Sequence, residues 1–165
     1  MKRISLILGL LVCVGCSSNL PDGLPRLYPC QITVIQDGAP LADAVVTLQS
    51  PEAGQLWFPM GTTDVSGVAV MDTNGRYPGA PEGVFKVLVF KGVSEPSRLG
   101  PPPPEDSPEY GAWAARASEE VRNEYIVVDP IYNDAATTPH EIKIETRGRN
   151  EMTVDVGKAV RIRMH

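Results

Sequence analysis

The chain has 165 residues, 42% of them apolar, with 20 acidic and 15 basic side chains and a formal charge of −5. That is enough for one domain with an apolar core. The arginines near the end, Arg147, Arg149, Arg161 and Arg163, are interleaved with Glu145, Glu151 and Asp155. No basic stripe is left to neutralise phosphates, which argues against a nucleic-acid partner.

At the amino terminus Lys2 and Arg3 precede an apolar run, Ile4 to Val14. The run is too short to span the ~30 Å hydrocarbon core and reads as a cleaved signal peptide, residues 1–15. It ends in Cys13-Val14-Gly15-Cys16, which resembles a lipoprotein signal-peptidase box: a small residue precedes the cysteine to be modified, although Cys13 stands where leucine is usual. Diacylglycerol on Cys16 and an N-acyl chain such as palmitate would then hold the protein to a membrane, since more than one chain makes attachment stable. An ordinary secretory signal or an uncleaved anchor is the alternative. Ser17 replaces the aspartate that in such proteins resembles an inner-membrane retention mark. The expected location is therefore the cell envelope, at an outer membrane facing the periplasm or the surface.

Loss of residues 1–15 removes Lys2 and Arg3 and takes the charge to −7. An acidic surface is repelled from anionic headgroups, which favours a domain held off the bilayer. With Cys16 acylated, Cys30 has no partner for a disulfide within the chain and reads as a small buried hydrophobe at the start of a strand.

Residues 16–27 hold two prolines and a glycine and read as a tether. The domain follows at 28–165. Ile32 and Val34 alternate with Thr33 and Ile35, and Asp37-Gly38-Ala39-Pro40 follows as a turn. Ala44, Val46 and Leu48 then alternate with Val45 and Thr47. Two such runs around Asp-Gly predict a hairpin or an equivalent tight connection. Further strands are predicted at Gly67 to Met71 and Val84 to Phe90, each started by a glycine turn. A long insertion, 94–138, opens with Pro101 to Pro104, extended and stiff. It contains a helical turn or two within Tyr110 to Asn123 and a strand-like patch at Tyr125 to Val128, and is expected to be disordered with partial docking. His140 to Thr146 and Glu151 to Val156 alternate apolar and polar around Arg147-Gly148-Arg149-Asn150, which predicts a closing hairpin. Short strands broken by Gly, Pro, Asp and Asn indicate an all-β, antiparallel two-sheet sandwich.

Three segments carry a family resemblance: ITVIQDGAPLADAVVTL at 32–48, GTTDVSGVAVM at 61–71 and GAPEGVFKVLVFK at 79–91. Gly38, Pro40, Leu41, Ala44, Val46, Thr63, Asp64, Gly67, Gly83, Phe85 and Val87 fall in the order of a G-x-P-L-x-x-A-x-V hairpin, a T-D-x-x-G turn and a G-x-Y/F-x-V strand. In this the chain resembles the carboxypeptidase regulatory-like, or transthyretin-like (prealbumin-type), domains. The resemblance implies a seven-stranded Greek-key β-sandwich without a bound ligand. The tail from Ile131 to Val156 is similar to the closing hairpin of small secreted lipoproteins with this domain. These motifs report fold rather than activity.

Catalytic chemistry finds little support. His140 begins a charged strand and His165 is terminal, so neither suggests a metal site. Asp72-Thr73-Asn74-Gly75 imitates the start of a calcium loop, but Gly83 stands where the bidentate glutamate belongs. Ser66 lies in a turn without a base. Transthyretin-like hydrolases end in Tyr-Arg-Gly-Ser, whereas this chain ends Arg161-Ile162-Arg163-Met164-His165; intradiol dioxygenases need two histidines and two tyrosines on iron. The expectation is a non-enzymatic binding or structural module with no cofactor and no metal. Trp57 and Phe58, followed by Met60, and Tyr77 in a loop are the candidate ligand contacts, for an envelope protein or a glycan. The competing role for Trp57 and Phe58 is to close one end of the core, and for Trp113 to dock the insertion. A carbohydrate- or peptide-binding accessory subunit of an envelope transport or degradation system is the alternative function.

Overall fold

The computed structural model describes residues 21–52 and 54–164. The segment read as a signal peptide, Cys13, Cys16 and His165 lie outside the described residues. In chain order the strands are β1 (Leu27–Tyr28), β2 (Cys30–Gln36), β3 (Ala39–Pro40), β4 (Val45–Gln49), β5 (Pro59–Thr62), β6 (Val68–Val70), β7 (Asp72–Thr73), β8 (Tyr77–Pro78), β9 (Ala80–Pro81) and β10 (Gly83–Phe90). There follow β11 (Gly92–Ser94), helix α1 (Tyr110–Glu119), β12 (Glu124–Ile126), a 3-10 turn at Pro130–Asn133, β13 (Glu141–Ile144), β14 (Asn150–Asp155) and β15 (Ile162–Arg163).

The fold is all-β with one short helix. One sheet runs β13-β10-β4-β5-β7-β8 and is antiparallel throughout. A second is built on β2, with β14 along one edge and β6 and β3 in succession along the other. Small sheets β1-β9 and β11-β12-β15 complete the architecture. Period-two patterning decides which side chains enter the core: Ile32, Val34, Ala69, Val154 and Val156 come from the β2 sheet, and Val46, Leu48, Phe85, Val87, Val89, Ile142 and Ile144 from the other. All belong to one cluster. Each fully buried aliphatic side chain contributes roughly 1.5–3 kcal/mol, so this core can hold the domain without a disulfide. Cys30 is a free thiol at 2% exposure within it, as a small hydrophobe at the start of β2.

Two pairings differ from expectation. The predicted closing hairpin is absent: β13 pairs with β10, while β14 leaves for the other sheet and pairs parallel to β2, from Asn150 opposite Cys30 to Asp155 opposite Ile35. Alternation specifies which face is buried and not which strand lies alongside. The corner is instead fixed by Asn150, 6% exposed, whose side chain accepts from the Glu145 N–H at 2.8 Å and donates to the carbonyls of Glu145 and Pro29 at 3.2 and 3.1 Å. At the first predicted hairpin the Asp37-Gly38 turn does form, with φ of 51° and 75°, the positive values a two-residue turn of this kind demands. It closes only Ile35 to Pro40 and Gln36 to Ala39. The chain then departs for β4, whose neighbours are β10 and β5.

The helix is longer than a turn or two, ten residues from Tyr110 to Glu119, none of them buried. The later part of the insertion docks closely. β12 pairs with β11 and β15, Val128 is 1% exposed in the core, and the Thr138 hydroxyl donates to Val87 O at 2.9 Å.

Candidate functional site

Strand directions sort the connections into two ends. Gln49 lies opposite Lys86 and Ile144 opposite Gly83, so the loops at 50–58, 79–83 and 145–149 gather beside the start of β2. The 37–38 turn, Ala42 and the end of β10 mark the other end, where the Lys91 ammonium donates to Ala42 O at 2.7 Å.

The tether enters at the first end and is fastened there. Leu27 and Tyr28 pair with Pro81 and Ala80. Gly79, at φ 100°, lets the chain pass so close to Tyr28 that a Cβ would lie 2.5 Å from its carbonyl oxygen. Upstream, the Trp57 indole N–H donates to Gly23 O at 3.1 Å. Trp57 is therefore half-buried with its polar atom engaged, and it lines a shallow recess with Leu56, Pro81 and Phe85. Phe58 is 45% exposed, and its backbone exchanges two hydrogen bonds with Asn74, N–H to Oδ1 at 2.8 Å and O from N–H at 2.9 Å. Tyr77 is half-buried on β8 with the Arg76 guanidinium 5.5 Å from its ring centre. The three predicted contacts thus share one end, Phe58 just before β5, Tyr77 on β8 with β7 between those two strands, and Trp57 turned toward the tether. Sequence reasoning missed Leu56, at 76% exposure the most exposed apolar side chain of this group, and Arg26, which stands 5.6 Å from the Tyr28 ring centre.

Of the segment expected to be a turn, Asp72 and Thr73 form β7 and the turn follows them, with positive φ at Asn74 and Gly75. The T-D-x-x-G motif is likewise structural. Thr63 Oγ1, buried, accepts from the Ala44 N–H at 2.8 Å and donates to Leu41 O at 2.6 Å. Asp64 Oδ1 accepts from the Ser66 hydroxyl and N–H and from the Val68 N–H. These bonds, led by that of the Ser66 hydroxyl, hold the Asp64 carboxyl below the ordinary aspartate range. His140 stacks on Tyr132 at 5.6 Å, and its Nε2 lies 3.0 Å from Asp155 O.

At the opposite end Glu95 clamps the root of the insertion. It accepts from the Tyr125 hydroxyl at 2.8 Å and from Asn123 Nδ2 at 3.0 Å, and Arg161 lies over the Tyr125 ring at 4.0 Å. The Tyr125 bond is the main cause of a lowered Glu95 pKa. Glu120 accepts from the Arg98 N–H at 2.7 Å, which lowers its pKa and closes the excursion that carries the four prolines and α1. Trp113 stacks on Tyr110 at 6.2 Å, within the excursion itself.

A groove of about 560 Å³ opens between β5 and β6, where Gly61 passes the Val70 carbonyl too closely for any side chain. Its walls include Val45, Met60, Val68 and Val70. Among the described residues no group of three His, Cys, Asp or Glu side chains is placed to hold a metal ion, and no helix is long and apolar enough to cross a membrane. No protein-family model matches the chain, and no curated protein or solved structure matches it either.

Proposed function

We propose that the chain is an exported lipoprotein, anchored through Cys16 in the cell envelope, whose single non-enzymatic domain serves as a binding or structural module. The observation that carries this reading is the continuity between the Cys13 to Cys16 box and a tether fastened to one end of the domain through β1 and the Trp57 to Gly23 bond. An anchored protein needs its leash joined to the fold at a defined place, and confinement to a surface raises the effective concentration against other envelope components. The domain is best read as a transthyretin-like sandwich of seven strands, β13, β10, β4 and β5 facing β14, β2 and β6. The single shared core and the Thr63-Asp64 turn support that reading. The excursion at 95–123 then projects from the end remote from the anchor, where a partner protein would meet it.

Growth with labelled fatty acid, followed by fractionation, tests the proposal. Label on the native chain and transfer of Cys16→Ser to the soluble fraction with its fold intact are expected; unchanged membrane association of Cys16→Ser overturns the anchor. Glycan recognition through Trp57, Phe58 and Tyr77 is the second reading, favoured by the exposure of Phe58. It requires saturable sugar binding that Trp57→Ala abolishes.

A further inference from the structure

We infer that the tether end of the domain touches the lipid surface directly, with Leu56 and Phe58 as a second point of attachment beside the acylated cysteine. The inference rests on the lipoprotein reading above. Its first support is reach. Cys16 lies seven residues before Gly23, and at no more than about 3.6 Å per residue the acyl chains sit within about 25 Å of the atom to which Trp57 is bonded. The loop presenting Leu56 at 76% exposure and Phe58 at 45% is therefore kept near the bilayer by the same tether that it binds.

The second support is charge. Residues 94–138, which leave from the opposite end, carry nine acidic side chains against three arginines. The rest of the processed chain holds eleven acidic and ten basic residues, close to neutral. Because the excess negative charge sits in the excursion, a leaflet with anionic headgroups repels that part and tolerates the tether end, which orients the domain instead of holding all of it off the bilayer as the net charge alone suggests. At that end Arg26 and Arg76 lie over the rings of Tyr28 and Tyr77. Guanidinium and tyrosine suit the headgroup layer, while leucine and phenylalanine suit the acyl boundary just beneath it. Glu52 and Glu82 flank the patch, so contact stays shallow.

The test uses the full processed chain carrying Trp113→Phe, which leaves Trp57 as the sole tryptophan, reconstituted into phosphatidylethanolamine and phosphatidylglycerol vesicles. Acyl chains brominated near the headgroup should lower Trp57 emission about twofold relative to unbrominated ones, because an interfacial side chain lies only ~5–10 Å deep. Adding Leu56→Asp and Phe58→Ser, both at exposed positions, should restore the emission. Equal emission in the two vesicle types, or quenching indifferent to the double substitution, overturns the inference while leaving the anchor standing, provided intact mass shows Cys16 acylated. A bare Cys16 overturns both.

Discussion

Asn150 and Asp64 show how much a single polar side chain decides in this fold. Asn150 satisfies backbone groups of Glu145 and Pro29 where the chain passes from one sheet to the other. Truncating it leaves buried donors and acceptors unpaired, and Asn150→Ala is expected to cost about 2–3 kcal/mol in urea denaturation. Asp64 acts through its charge. Its folded pKa lies below the unfolded one, so the ionised carboxylate stabilises the domain above the ordinary aspartate value, and that contribution fades as pH falls through the folded value. Asp64→Asn should therefore flatten the acid limb of stability below the ordinary aspartate range, measured by urea midpoints. Cys30 behaves in the opposite sense. Burial pushes its thiol up to about 12. The unfolded chain ionises near the ordinary value, about 8.5, so stability falls as pH rises from there toward the folded value. Cys30→Val should remove that part of the alkaline loss, and native Cys30 should resist a thiol reagent until the domain unfolds. The burial of Cys30 was legible from its place at a strand start. The role of Asn150 was not, because an asparagine in a loop reads as turn chemistry and nothing local announces a partner at Pro29.

Elements were legible where face alone mattered. The alternation of Ile32, Val34, Val46, Leu48, Ile142, Ile144 and Val154 correctly selects the core side chains. Pairing was less legible, since an apolar face on β14 is buried equally well beside β13 or beside β2, and the parallel pair depends on a corner that local pattern does not encode. The helix outgrew its prediction because Ala112, Ala114, Ala115 and Ala117 favour helix without any buried face to mark its length. That absence of buried residues carries a prediction. Replacing residues 99–119 by a short Gly-Ser link should change unfolding stability by no more than about 1–2 kcal/mol, since closing a shorter loop costs little and the Glu95 clamp is left in place. Calorimetry of the shortened chain checks this; unfolding at low temperature would assign the excursion a share of the core.

At the scale of the molecule, the two ends differ in kind. One receives the tether and gathers Trp57, Phe58 and Tyr77; the other gives rise to the acidic excursion. The charges were countable in the sequence, but their separation became visible only once strand directions assigned each loop to an end. Trp57, Phe58 and Tyr77 fall at one end of the domain, while Leu56 escaped notice because a lone leucine beside Trp57 resembles core. The parallel alignment of β2 and β14 has a mechanical meaning. Tension transmitted along the tether first breaks the Trp57 to Gly23 bond and peels the two pairs of β1 from β9, a small give. It then pulls β2 lengthwise between β14 and β6, so that the ladders on both flanks must slip together instead of unzipping rung by rung. A leash that yields slightly and then locks would suit the moored role proposed above.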